Sequence, residues 1–597
     1  MTNLKDREKI DPKYRWDLTK VFADDIEWEM EYEKIMKDLE GILSYKGKLS
    51  LNGQTLLKAL NEKHKLQERY EVIYTYAMLK HLQDTKNNIY SSLYNKAESL
   101  TTRFTTIASF IKPEILAIGE DKIDNFISST EGLEIYKQDF DNIFRRSKHT
   151  LSEKEEDLLS LMKPTTNLSN NLFNILNNKQ VKFENAFDKD KNEVEVTHGN
   201  FIMLLKSNDR VLRESVYNSV FNSYISLIDS FAGVYAGTIK RETFFATARG
   251  YKSSLEASLY ESNIPKNVYK NLVTTVGEGL KSLHKYNKIR KKCLGSEKLN
   301  PYDLYVPILA DIDYKITYEE AKDIILKSLE PLGEEYIGIV KNIFESKYID
   351  VYENQGKVPG AFSVCTYGVP PYILMSYTDD LKSLFTLTHE LGHSVHTLYS
   401  SKNQPFIYSE YTLFLAEVAS TTHEALLIEY LLKTTKNKKL KAYLLNYQIN
   451  NYLSTFFRQT MLAEFEMRAH ELEAKGIHID ADALAAIYKE LLQKYFGEHL
   501  EIDDKIIYEW ARISHFHNPF YVYQYATGFA AASSIAKDII ENGQSSADKF
   551  INMLKSGSSE YSLPLLKKAG VDMSTPKPIE DALAVFASLV DELEKLV

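Results

Sequence analysis

The sequence predicts a mainly α-helical protein with one small β-sheet, and three observations carry that expectation. The 24 Gly and 15 Pro among 597 residues are about half the usual share of helix breakers. Apolar residues recur three and four apart over most of the chain with charges between them, the period of an amphipathic helix. The few breakers then crowd together: Gly356, Pro359, Gly360, Gly368, Pro370 and Pro371 fall within sixteen positions. Their flanks, YIDVY and YILMSY, are short, aromatic and β-branched, as strands are.

Taken in order, the segments DIEWEMEYEKIMKDLEGIL and QTLLKALNEKHKLQERYEVIYTYAMLKHL belong to a helical lobe running from Trp16 to about Leu176. A polar stretch, PTTNLSNNLFNILNNKQ, leads into VKFENAFDKDKNEVEV, where two β-prone runs flank a turn containing Asp188, Asp190 and Asn192. A boundary is expected near residues 165–200, dividing an N-terminal helical lobe, 1–200, from a catalytic part, 201–597. No Ser/Gly-rich or Pro-rich tether separates the two, so they should be closely joined. Beyond the boundary, RVLRESVYNSVFNSYISLIDSFAGVYAGTIKRETFFATAR continues the helical pattern.

Composition excludes several classes. With 44% hydrophobic and 26% charged residues, the chain can bury a large core and is neither disordered nor collagen-like. A formal charge of −10 argues against a nucleic-acid-binding surface. Cys293 and Cys365 lie far apart and form no CxxC pair, which suits a reducing cytoplasm. The N-terminus lacks the apolar run of a signal peptide, and no stretch approaches the roughly 18 apolar residues that span a bilayer. A cytoplasmic protein with no membrane contact and no obligate protein partner is the expectation.

The chemistry concentrates after the breaker-rich loop. SLFTLTHELGHSVHTLYS reads as a buried helix, and within it His389-Glu390-Leu391-Gly392-His393 forms the HExxH pattern. Residues four apart share a helix face, so two imidazoles can reach one Zn2+ while Glu390 can take a proton from its water. A third protein ligand is needed. His396, three residues on, is one candidate, but three ligands on one straight helix would strain a tetrahedral site. Glu417, set among Leu415, Ala416, Val418 and Ala419, is the better one, since a carboxylate in apolar company needs a partner. Thr421 and Glu424 on the same helix could orient the histidines. Downstream, ARISHFHNPFYVYQYATGF gathers His515, His517, Tyr521, Tyr523 and Tyr525 around an Asn-Pro turn, donors suited to a developing oxyanion.

HELGH followed by AEVAST at 416–421, with GKVPGAFS and PPYILMSY upstream and ISHFHNPFYVYQYATGF downstream, resembles the oligoendopeptidase F family of thimet-oligopeptidase-like zinc metallopeptidases. RWDLTKVF and ARGYKSSLEASLYESNIPKNVYKNL match as well, so the resemblance covers nearly the whole chain. It implies a two-lobed helical ellipsoid with a deep central channel and a small β-sheet beside the HExxH helix. It also implies an endopeptidase for short unstructured peptides that holds one Zn2+ per chain. Under the resemblance His389, His393 and Glu417 are the zinc ligands and Glu390 the general base. Gly360, Ala361, Phe362 and Ser363 form the edge strand that pairs with substrate. His515 contacts the peptide near the scissile bond, although the neighbouring His517 stands where the family often has Tyr. Tyr521 and Tyr525 stabilise the oxyanion, with Tyr523 a further substrate contact.

Overall fold

The computed structural model describes residues 4–309 and 314–597. Several helices begin where the sequence supplies a side-chain cap. Asn52 accepts from the Thr55 amide to open α1 (Gly53–Gln83), and Asn87 does the same for α2 (Asn88–Ala108). These two pair into an antiparallel hairpin whose inner faces carry Leu56, Leu60, Ile73, Leu93, Leu100 and Phe104. The charged turn expected in the middle of the chain is a β-hairpin. Strands β1 (Ala186–Phe187) and β2 (Glu193–Val194) pair antiparallel, and Asp188 accepts from the Asn192 amide across the turn.

The long helical pattern after residue 209 is two helices, α3 (Arg210–Ile225) and α4 (Ile228–Ala248), broken at Ser226–Leu227 where no Gly or Pro announces an end. The breaker-rich region folds into strands β3 (Ile349–Asp350), β4 (Phe362–Val364) and β5 (Tyr372–Leu374) in the order β3-β5-β4. β3 runs parallel to β5 and β4 antiparallel to it, with Ser363 opposite Ile373. Later helices include α5 (Glu334–Glu345), α6 (Leu381–Asn403), α7 (Leu413–Thr434), α8 (Arg458–Ala474) and α9 (Tyr523–Asn542).

The chain folds into two compact units, each assembled from three stretches. The first comprises Met1–Lys148, Asp313–Tyr430 and Ile535–Val571, and the second His149–Ile312, Leu431–Ser534 and Asp572–Val597. Residue 200, the boundary expected from sequence, lies inside the second unit. In the first unit the α1–α2 core extends to Tyr372 and Leu374, so the sheet rests on the N-terminal helices. Buried Asp350 fastens that sheet to the N-terminal segment, taking Arg7 at 2.5 Å and the fully enclosed Lys357 ammonium at 2.7 Å. The described residues are mostly helical, as expected, and none of their helices is long and apolar enough to cross a membrane.

Candidate metal centre

Helix α6 carries the centre of the site. Asp380 caps its N-terminus through the Ser383 amide, and Leu384, Leu387, Leu391 and Val395 bury one face. His389 and His393, one turn apart, have ring centroids 4.9 Å apart. Their Nε2 atoms lie 3.2 and 3.6 Å from Oε2 of Glu417 on α7. One ligand atom from each of these three residues falls within 4.8 Å of the others, spacing that a metal ion can bridge.

The two helices come this close because residue 392 is glycine. A Cβ there would stand 2.5 Å from Cα and 2.8 Å from N of Ser420. Ser420 in turn donates its hydroxyl to Glu417 Oε2 at 3.0 Å. Sequence reasoning expected Glu417 to be buried, but its side chain is 45% exposed. Leu415, Val418 and Ala419 around it are buried, so the helix is anchored while the carboxylate faces open space.

Glu424 Oε1 sits 2.6 Å from His389 Nδ1, two turns along α7 from Glu417. This bond commits Nδ1 to the Glu424 carboxylate and turns Nε2 toward Glu417, the ring orientation a metal ligand needs. The electrostatics agree with a cation at this point. Burial opposes charge on His389, yet Glu417 and Glu424 bonded to it raise its pKa well above the ordinary imidazole value. Partial burial likewise opposes ionisation of Glu417, and His389 holds its carboxyl below the usual range. Two carboxylates around one imidazole favour positive charge where the three ligand atoms meet. Donor set, spacing and charge therefore all fit a divalent ion.

Glu390 is buried at 7% exposure, and burial pushes its carboxyl up to about 7. The Ser363 amide faces it, a consequence of sheet register. The Ile373 and Met375 amides bond to β3, so the other edge of β5 pairs with Phe362 and Val364. Ser363 between them therefore presents its N–H and C=O on the free edge of β4. Its hydroxyl also meets Ser394 on α6 at 2.8 Å.

Other expected residues are placed differently. His396 is buried at 1% exposure and stacked on Tyr411 with ring centroids 3.6 Å apart, outside the three-ligand group. Thr421 makes no hydrogen bond to either histidine. The bracing that sequence reasoning missed comes from His423, whose Nδ1 lies 3.2 Å from the Thr388 carbonyl and whose Nε2 meets Tyr336 of α5 at 2.5 Å. This pair fixes the backbone just before His389.

In the second unit, His515, Tyr521 and Tyr525 form one cluster. His515 stacks with Tyr521 at 6.1 Å, and Tyr521 meets Tyr525 edge-on at 5.4 Å. His515 is exposed, whereas His517 is held by Thr238 at 2.9 Å and packs on Phe173 at 4.2 Å. Tyr523 is only 3% exposed, its ring 5.1 Å from Tyr269. Tyr521 in the turn before α9 and Tyr525 on its first turn meet each other, whereas Tyr523 between them packs into the core.

A sequence model described as peptidase family M3 matches residues 203–585, and one described as oligopeptidase F matches 114–183. Oligopeptidase PepF of Bacillus subtilis is 43% identical over 594 residues, covering 100% of this chain and 89% of that protein. The crystal structure of oligoendopeptidase-F from Enterococcus faecium superposes with a TM-score of 0.73 at 35% identity, covering 96% and 99% of the two chains. That of a Chlamydophila abortus protein gives 0.95 at 33% identity over the whole of both. With a family model matching more than half of its residues and such identity along its full length, the chain belongs to peptidase family M3 and is a hydrolase of peptide bonds.

Proposed function

We propose that the protein is a zinc-dependent endopeptidase that cuts internal bonds of short, unstructured oligopeptides. The observation that carries this reading is the convergence of His389, His393 and Glu417 within 4.8 Å, with the buried Glu390 beside them in HExxH. The names oligopeptidase and oligoendopeptidase borne by the relatives support the substrate size.

Zinc, one ion per chain, would supply a Lewis acid that polarises the scissile carbonyl and acidifies water. His389 and His393 would hold it through Nε2 and Glu417 through its carboxylate, while Glu424 keeps the His389 ring in the right orientation. Glu390, poised near neutral pH, takes a proton from the attacking water and returns it to the leaving amine. Substrate lies along Gly360–Ser363 as an added strand. Ser363 offers it a backbone C=O, while its N–H faces Glu390 and the amides of Phe362 and Val364 are turned towards β5. In keeping with the family resemblance, His515, Tyr521 and Tyr525 donate to the tetrahedral oxyanion.

We assign residues 1–200 as an N-terminal lobe and 201–597 as the catalytic part, which the matched ranges 114–183 and 203–585 support. The free thiols of Cys293 and Cys365 support a reducing, cytoplasmic setting. The test is mass spectrometry of a peptide of about ten residues blocked at both ends, digested with zinc and then after chelation. Internal cleavage that disappears with chelator and returns with zinc is expected. Products lost only from free ends of an unblocked control would favour an exopeptidase, and chelator-insensitive cleavage would refute the metal reading.

A further inference from the structure

Glu466 is an acid in an unlikely place. It lies on α8 in the interior of the second unit with no exposed surface. Oε1 accepts a hydrogen bond from the Phe520 amide at 2.7 Å, and Oε2 has no hydrogen-bond partner among the described residues. Burial holds the carboxyl well above its usual range. A neutral, singly bonded acid in the core is costly compared with an apolar side chain of the same size.

Its one partner is unusual as well. Phe520 has φ 55°, a left-handed conformation that a bulky aromatic residue avoids and that persists only where the surroundings impose it. The Phe520 ring is 2% exposed and packs on His470, one turn along α8 from Glu466, with centroids 4.6 Å apart. His470 is fixed in turn by Ser254 at 2.8 Å. On the other side of the turn, the Asn518 amide bonds to the His515 carbonyl at 2.9 Å. The next residue after Phe520 is Tyr521, whose ring lies beside His515 and Tyr525.

The geometry points to Glu466 as a positioning residue: through the Phe520 amide it holds the left-handed turn that sets the Tyr521 ring beside His515 and Tyr525. This rests on the reading that these three side chains donate to the oxyanion. Glu466 touches no substrate, so its effect must pass through Tyr521.

The experiment is a double-mutant cycle on the zinc-loaded enzyme with a short peptide, reading kcat and KM separately. Glu466→Gln keeps a carbonyl acceptor of the same reach, and its kcat should stay within about threefold of wild type. Glu466→Leu, or Glu466→Met where leucine prevents folding, removes the acceptor. Its kcat should fall on the order of 30-fold, with KM and bound zinc nearly unchanged. Tyr521→Phe should cost a similar factor alone and almost nothing further when combined with Glu466→Leu. Equal losses in the Gln and Leu variants, or fully additive losses with Tyr521→Phe, would overturn the positioning role while leaving the oxyanion reading intact. A Tyr521→Phe enzyme with unchanged kcat would instead overturn the oxyanion reading, and this role with it.

Discussion

Glu424 shows how much a single side chain decides. Its bond to His389 Nδ1 sets which nitrogen faces Glu417, and it supplies negative charge behind that imidazole. Replacing it with alanine leaves all three ligands in place but frees the imidazole to rotate. Zinc affinity should fall roughly 10–100-fold, read by titration against a competing chelator; unchanged affinity would mean that the bond has no bearing on the metal. The pattern HExxH made His389, Glu390 and His393 legible because helix geometry fixes the i, i+4 face before any tertiary structure is known. His423 was not legible, since its value lies in contacts with Thr388 and Tyr336, 35 and 87 residues away. Tyr523 was not separable from Tyr521 and Tyr525 in the sequence, because α9 begins only at Tyr523 and Tyr521 stands in the turn before it.

Among the elements, the approach of α6 to α7 matters most. Gly392 lets the Ser420 backbone come within van der Waals range, and Glu417 reaches the histidines only because of it. A methyl group at 392 must push against backbone, not a flexible side chain. Gly392→Ala should therefore cost about 1–3 kcal/mol in unfolding free energy and lower zinc affinity more than tenfold. Equilibrium denaturation with metal titration checks both, and an alanine variant with native affinity would refute the close-approach argument. The sheet was legible as strands from its crowded breakers and β-branched flanks. Its register was not, because the outward turn of Ser363 depends on which amides of β5 are already taken by β3. The break between α3 and α4 escaped for a related reason: Ser226–Leu227 carries no local stop signal.

For the whole molecule, the cost of a large core falls on its buried titratable groups. His64 in the first unit and His470 in the second are both pushed down to about 3 by burial. Their folded values lie below the unfolded value near 6.5, so between those pH values the unfolded chain binds more protons. Their contribution to stability is complete above about pH 6.5 and is lost as pH falls toward 3. The urea midpoint should be lower at pH 5 than at pH 7.5. His64→Phe should flatten that slope, because Tyr136 keeps its hydrogen bond to Asn61 when the imidazole is gone. A midpoint that rises on acidification would contradict this account. The compact units, each woven from three stretches of chain, could not be read from composition, which records breakers and periodicity but not which distant segments share a core.

The central claim is that Glu390 moves the proton at a centre held by His389, His393 and Glu417. Glu390→Gln tests it most directly, because glutamine keeps the shape of the side chain and removes the base while leaving every ligand in place. Zinc content and the rate of peptide hydrolysis are measured on the same sample. The account predicts about one zinc per chain and a rate lower by on the order of a thousandfold. A zinc-loaded Glu390→Gln enzyme that cleaves peptides at the wild-type rate would contradict it.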